Sequence, residues 1–511
     1  MRIERTKNAI RNVTWGYIYK MVNIILPFIF RSVMIKVLGA DYLGINSLFT
    51  SILQILSLSE LGFGTAIVYN MYKPIAENDI QQINALLYFY KRIYYIIGSV
   101  IMVAGLIIMP LIPYLISGYN PSNINIYFVY LMFLLNTSIS YYMFAYRGSL
   151  LNAFQRNDVE SKVLIIVSVF RYIIEIGGII LTKQYYIFLC IEILSTVLNN
   201  LLKYRFTKKM YPQFSPIGNI DTSTKKQIKD DVLALMCHKI GGIVLNSADN
   251  IVLSIFMGVI IVANYSNYYY IMNAISSIIT TCFAGITAGI GNSFVTESPK
   301  KNRDDFKKIL FFNAWIVIWC STCLLCLYQD FMFVWVGEEY MFSNEITILF
   351  VIYFFVHSIR RTILIFRDGA GMWCDNKWQP IVSGITNLII NIILVQYIGV
   401  YGILISSISS MILIDIPWET SVFCSKIDMR NSQYLGQLVL YFIIAVLVGS
   451  ITWLITLQLN FMPILNLLIK GIICIFAPNI ILILILHRCK EFKFFLHLTK
   501  KYTGCFLHKG F

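Results

Sequence analysis

The sequence predicts an all-α polytopic membrane protein of about 14 transmembrane helices, built as two six-helix lobes related by a parallel internal repeat plus two C-terminal helices. Three observations predict it. Of the 511 residues, 58% are apolar and 13% are charged, and the mean hydropathy is +0.70; a soluble chain has about 25% charged residues to cover its surface. Runs such as Ile96–Ile116 are apolar without alternation, whereas a membrane barrel would alternate at period two, so these runs read as helices. Finally, Lys and Arg gather in every second connection along the chain, as they do when helices cross a bilayer in turn.

A crossing takes about 20 apolar residues. The first six spans fall near 13–37, 44–70, 93–117, 125–145, 162–182 and 185–203. The first carries Lys20 and Arg31 with Pro27 between them, and the proline predicts a kink there. The N-terminal "MRIERTKNAIRN" is basic, but no small-residue cleavage site follows a short apolar core, so this helix is expected to remain as a span. The second span is rich in Ser, Asn, Gly and Thr; the next four are more uniformly apolar. The second set falls near 231–256, 260–291, 309–328, 346–366, 380–400 and 402–424, the 260–291 segment again being rich in small and polar residues. Two more follow near 436–457 and 465–487. The expected domains are an N-terminal lobe at 1–206, a basic cytoplasmic linker at 207–229, a C-terminal lobe at 230–425, and the last two spans with a basic tail at 426–511.

With the N-terminus in the cytoplasm, 34 of the 41 Lys and Arg residues fall in cytoplasmic segments. Only Lys36, Lys183 and Lys470 lie at the outer side, and Lys20, Arg31, Arg171 and Lys239 lie within spans. The positive-inside rule thus places both termini in the cytoplasm. It also accounts for the net charge of +15, with no need for nucleic acid as a partner.

The chain repeats weakly at an offset near 219. "LGADYLGINS" (Leu38–Ser47) aligns with "MGVIIVANYS" (Met257–Ser266), and "FQRNDVESKVLIIVS" (Phe154–Ser168) with "WCDNKWQPIVSGITN" (Trp373–Asn387). Six spans per repeat is an even number, so both lobes insert the same way up. The offset carries Lys20 onto Lys239, and Arg31 onto Asn250 with Asp249 beside it. Lys20 and Arg31 are three helical turns apart on one face, and Lys239, Asn246 and Asn250 likewise share a face. A charge in hydrocarbon costs at least about 2.5–3.5 kcal/mol, so such residues face protein or a wet cavity. Each lysine could instead snorkel to the cytoplasmic interface or pair locally; its occurrence in both halves favours a shared cavity.

Other groups have plainer readings. "CSTCLLC" (Cys320, Cys323, Cys326) sits mid-span without His or carboxylate and reads as small buried hydrophobes, with no metal. Arg171 and Glu175 are i,i+4 and are expected to neutralise one another. Asp415 and Glu419 approach the cytoplasmic end of their span, where water is expected to reach them, and Glu192 has no sequence-local partner. There is no P-loop, paired acidic motif or nucleophile constellation, so no catalysis and no cofactor is read.

Fourteen spans arranged as six, six and two resemble the polysaccharide transporter family of the multidrug/oligosaccharidyl-lipid/polysaccharide (MOP) exporter superfamily. The likeness is carried by Arg11–Tyr72, in particular Leu38-Gly39, Tyr42-Leu43-Gly44 and Glu60-Leu61-Gly62-Phe63-Gly64. The resemblance implies a flippase for undecaprenyl-pyrophosphate-linked sugar repeat units, working by alternating access, with spans 1, 2, 7 and 8 lining the cavity between lobes. Lys20, Arg31 and Lys239, with Asn246, Asp249 and Asn250, would then meet pyrophosphate and glycan. Asn46, Thr50 and Ser57 of span 2, and Asn273, Ser277 and Thr280 of span 8, would suit sugar hydroxyls or, equally, helix packing. Lipid-linked oligosaccharide and membrane lipids are the partners implied; a coupling cation (H+ or Na+) and other polysaccharide assembly proteins are admissible further ones. The rival readings are a cation-coupled drug antiporter of the same superfamily and, further off, a polysaccharide polymerase.

Overall fold

The computed structural model describes residues 5–60, 62–117, 123–284, 286–372, 376–459 and 461–497. All regular structure among them is helical. Among the described residues, ten helices are long and apolar enough to cross a membrane, or eleven if the bent pair Ile126–Tyr142 and Ala145–Ala153, which meet at 50°, counts as one. The other expected spans differ in kind. The second is broken in the middle, the seventh is apolar chiefly over Ser247–Met257 among the described residues, and the eighth is too polar to pass on composition.

Two compact units divide the chain, at 1–266 and 267–511. The first holds α1 (Arg5–Val37), α2 (Ala40–Leu56), α3 (Phe63–Glu77), α4 (Ile80–Ile108) and the short α5 (Ile112–Leu115). It continues with α6 (Ile126–Tyr142), α7 (Gly148–Ala153), α8 (Asn157–Thr182), α9 (Tyr185–Met210), α10 (Thr222–Met257) and the start of α11 (Val259–Ala284). α1 runs through Pro27 as one helix and lies along α8, which forms a hairpin with α9. Aromatic side chains fill the contacts: Phe30 meets Tyr172 and Phe188, and Phe49 meets Tyr130 and Phe133. Side-chain caps start several helices by satisfying free backbone N–H groups. Asp79 accepts from Gln82 N at 2.9 Å, and Asn125 from Tyr127 N at 3.1 Å. At the start of α10, hydrogen bonds from Ser223 and Thr224 hold the Asp221 carboxyl well below the usual carboxylate range.

The second unit holds the rest of α11, α12 (Thr287–Thr296), α13 (Pro299–Val336), α14 (Asn344–Ile359), α15 (Arg361–Gly369), α16 (Gln379–Ile398) and α17 (Val400–Ser410). A five-residue π turn at Met411–Asp415 leads into α18 (Ile416–Lys426), and α19 (Asn431–Leu457) and α20 (Pro463–Leu486) follow. α13 is the hub, packing on α14, α19 and α20. The last helix is fastened to it by Lys470–Asp330 at 2.6 Å, Trp315 Nε1 to Asn479 Oδ1 at 2.9 Å and Trp319 Nε1 to the Cys474 carbonyl at 2.9 Å. Tyr268, Tyr328, Phe342 and Phe350 form one buried aromatic cluster, and Phe306, Phe366 and Phe423 another.

Helix starts in the two halves keep the sequence offset. Gly39 (φ 115°) and Gly258 (φ 87°) both stand at the joint after a long first helix, in a region open to glycine and strained for other residues. Asp79 and Ser298 both cap the helix that follows. Helix ends overrun the apolar windows: α9 reaches Met210 and α10 begins at Thr222, so only Tyr211–Asp221 of the expected linker is non-helical. That stretch is packed, with Tyr211 and Phe214 against Phe154 and Ser215 N bonded to Asn84 Oδ1 at 2.8 Å.

Gly44 has a physical reason to be glycine. A Cβ there would lie 1.9 Å from the Val259 carbonyl oxygen, a backbone atom that cannot swing aside. Gly44→Ala is therefore expected to force α2 and the start of α11 apart, at about 1–3 kcal/mol or more. Folded protein extracted from the membrane should drop well below that of a Gly177→Ala control, where a Cβ meets nothing within 4 Å; equal amounts would contradict the packing.

Candidate functional site

α1 is largely apolar, so its mid-span cation needs polar company. Half-buried Arg31 donates from Nη1 to the Ser266 hydroxyl at 3.1 Å. The preceding residue, Tyr265, donates its hydroxyl to Oδ2 of Asp249, which is buried on α10, at 2.9 Å. Next to it, Asn250 donates from Nδ2 to Ser51 of α2 at 2.9 Å, and Ser247, one turn earlier, donates to Gln54 Oε1 at 3.2 Å. A polar seam inside the first unit is thus assembled from α1, α2, α10 and the first two turns of α11. One acceptor in it lacks a donor: Asn250 Oδ1 is buried and has no hydrogen-bond partner among the described residues. Leaving such an atom unmet costs about 1–3 kcal/mol, so it is a place where a ligand hydroxyl could donate.

The seam brings together Arg31, Asp249 and Asn250 from the residues expected from sequence. Lys20 is half-buried on α1, eleven residues before Arg31 and so about 16 Å away along the axis. Asn46 is half-buried on α2, and Asn273 is exposed on α11 in the second unit. The side chains of Lys239 and Asn246 lie outside the described residues. Ser57 and Thr280 donate to carbonyls one turn back, each at 2.8 Å, the bond that a hydroxyl makes inside a helix without any ligand. Thr50 is exposed.

Two buried clusters were not expected from sequence. Span 2 breaks after Glu60, where Gly62 takes a left-handed φ of 95°. The Glu60 carboxylate accepts from Tyr94 at 2.9 Å and Tyr141 at 2.5 Å, while Tyr90 donates to Tyr94 at 2.7 Å. A Cβ on Gly64 would lie 2.9 Å from the Tyr90 hydroxyl. The Glu-Leu-Gly-Phe-Gly stretch is therefore a carboxylate set at a helix break, with Gly62 making the left-handed turn and Gly64 clearing room for the Tyr90 hydroxyl behind Tyr94. A sequence signal existed in the pairing of an acid with two glycines, but the tyrosines come from α4 and α6.

In the second unit, Asp415 and Glu419 are buried, not wetted as expected. Arg360, at the joint between α14 and α15, explains this: its Nη1 meets Asp415 Oδ2 at 2.8 Å, and its Nη2 and Nε meet the two Glu419 oxygens at 2.6 and 3.1 Å. Gln379 donates to the remaining Asp415 oxygen. The π turn at Met411–Asp415 shifts the helix by one residue, which aims Asp415 inward.

A family profile described as "Polysaccharide biosynthesis protein" matches residues 9–285, more than half of the chain. No curated protein matches the sequence. Among solved structures, the lipid II flippase MurJ in an inward closed conformation superposes with a TM-score of 0.65 at 15% identity, covering 94% of this chain and 99% of that one. An inward-facing multidrug resistance MATE family transporter of the MOP superfamily gives 0.63 at 13% identity, covering 80% and 95%. At these identities the likeness establishes the fold. The profile match, which covers more than half of the sequence, makes the chain a member of the polysaccharide biosynthesis protein family.

Proposed function

We propose that the protein is a flippase that moves undecaprenyl-pyrophosphate-linked oligosaccharide repeat units across the cytoplasmic membrane of a bacterium, by alternating access, for surface polysaccharides such as O-antigen, capsule or exopolysaccharide. The observation that carries the reading is the polar seam of the first unit: a half-buried guanidinium on α1, Arg31, and on α10 a buried amide oxygen, that of Asn250, which lacks a donor among the described residues. A pyrophosphate takes charge-assisted bonds from a guanidinium, and sugar hydroxyls donate to amide oxygens. Lys20 on the same helix face, and Lys239 at the matching offset in the sequence, are further candidate cations for the pyrophosphate. Asn246, Asn46 and Asn273 are further candidate glycan contacts. The polyprenyl tail needs no protein pocket, since it is soluble in the bilayer. The one-sided distribution of cations supports a multi-pass chain with both termini in the cytoplasm. A cation-coupled drug antiporter is the second reading, favoured by the likeness in fold to MATE transporters.

Reconstitution separates the two. The purified chain in proteoliposomes is expected to speed the exchange of a fluorescent polyprenyl-pyrophosphoryl oligosaccharide between leaflets over protein-free vesicles, and to leave a cationic dye where it was loaded. Movement of the dye with no effect on the lipid-linked sugar would establish the antiporter instead.

A further inference from the structure

Three charged side chains in the first unit are left unused by the seam. Arg171 stands near the middle of the 26-residue α8, Glu175 one turn beyond it, and Glu192 on α9, across the hairpin. The guanidinium is shared: Arg171 Nε lies 3.6 Å from Glu175 Oε1, and Nη1 lies 3.7 Å from Glu192 Oε1. Neither contact reaches hydrogen-bonding distance. Both oxygens of Glu175, whose side chain is 0% exposed, are without a hydrogen-bond partner among the described residues. Arg171 also lies over the Tyr172 ring, 4.3 Å from its centroid. The simple i,i+4 neutralisation expected from sequence is therefore one acid short: a single cation faces two carboxyls.

We propose that Glu175, Arg171 and Glu192 form a proton-binding site in which the guanidinium balances one carboxylate at a time and a proton, taken from water, neutralises the other. Two ionised carboxylates beside one cation would leave a net charge in a buried place, which proteins avoid by keeping one acid protonated. An O–H bond forms on one carboxyl when the proton is taken up and breaks when Arg171 swings to it; nothing is oxidised or reduced. The charged groups facing Glu175 are Arg171 and Glu192, and the one facing Glu192 is Arg171. Hydroxyls also stand around the group, namely Tyr19 from α1, Tyr172 on α8 itself and Tyr185 from α9, and Glu160 of α8 acts on the Tyr19 hydroxyl from further off. A metal cation is a poor occupant, because Arg171 already places positive charge between the carboxyls, and a sodium ion would need several more oxygens around it. The inference deepens the transport reading and rests on it for its purpose, since a proton bound here would couple lipid movement to a pH gradient.

The site can be tested apart from transport. A hydrophobic carbodiimide reacts with protonated carboxyls in apolar surroundings, and the modified residue is found by mass spectrometry on the full purified chain. Labelling at Glu175 or Glu192 is expected at about pH 6 and should fall at least about tenfold by about pH 9 as the proton leaves. Sodium at constant pH should change nothing. Glu192→Gln leaves one acid for one arginine, so Glu175 should lose most of its labelling; this variant keeps the shape of the side chain and its fold is checked by size-exclusion profile. No labelling at any pH, labelling of Glu175 undiminished in Glu192→Gln, or protection by sodium without an effect of pH would each overturn the proposal. In proteoliposomes, an imposed pH gradient should bias lipid movement in the native chain, and the bias should vanish in Glu175→Gln. Absence of lipid movement in every vesicle would refute the transport reading while leaving the labelling result standing.

Discussion

Arg360→Ala is expected to remove most of the folded protein from the membrane. The guanidinium is the only cation in contact with Asp415 and Glu419 among the described residues, and it holds the latter in a two-bond fork. Removing it leaves two buried carboxylates without a counter-charge. Breaking a buried pair from one side costs about 3–5 kcal/mol, and here two acids are stranded at once. The joint between α14 and α15 and the π turn before α18 both depend on this cluster, so the loss should reach the packing of the second unit. Replacing the whole set is a different matter. Arg360→Met combined with Asp415→Asn and Glu419→Gln carries no stranded charge, and it should recover much of the abundance lost in the single variant. Quantifying detergent-extracted, monodisperse protein for the two variants checks the account: normal abundance in Arg360→Ala would contradict it.

Arg31→Ala is expected to lower transport per folded molecule by roughly ten- to hundred-fold. Loss of a charge-assisted contact in a partly dry site is worth about 1.5–3 kcal/mol. Stability should change less at Ser266, a neutral hydroxyl that also donates to the Ala263 carbonyl at 2.9 Å. Arg31→Lys should keep part of the activity, and Lys20→Ala should behave like Arg31→Ala while Lys20→Arg retains function. Leaflet exchange of the lipid-linked sugar, normalised to folded protein, is the measurement. Full activity in both alanine variants would mean that this face of α1 meets lipid headgroups or a neighbouring helix and no substrate.

Most of the helices could be read from the sequence because hydrocarbon imposes length and apolarity on each crossing. α8 begins and ends close to where hydropathy placed it, and so do α16, α19 and α20. What escaped reading depends on partners distant in the chain. The break after Glu60 is set by Tyr94 and Tyr141, 34 and 81 residues away. The inward turn of Asp415 is set by Arg360, and from the sequence alone an acid near a helix end looks wet. Polar helix ends are likewise invisible to hydropathy, which is why α9, α10 and α13 overrun their apolar windows. In the candidate site, Arg31, Asp249 and Asn250 were legible because charge and amide groups are conspicuous in an apolar run. Their partners Ser51, Tyr265 and Ser266 were not, since a serine or tyrosine in a membrane helix is ordinary. Glu192 looked solitary because its partner Arg171 lies across a hairpin, where no helical spacing applies.

The central claim is that the chain carries lipid-linked repeat units from one leaflet to the other, and the leaflet in which they accumulate without it is the most direct measurement. In cells lacking the protein, lipid-linked repeat units should build up on the cytoplasmic leaflet, inaccessible to a membrane-impermeant glycosidase until the membrane is opened, and the finished surface polysaccharide should be absent. Repeat units freely digested in intact spheroplasts of the same cells would contradict the account, because the sugar would then have crossed without it.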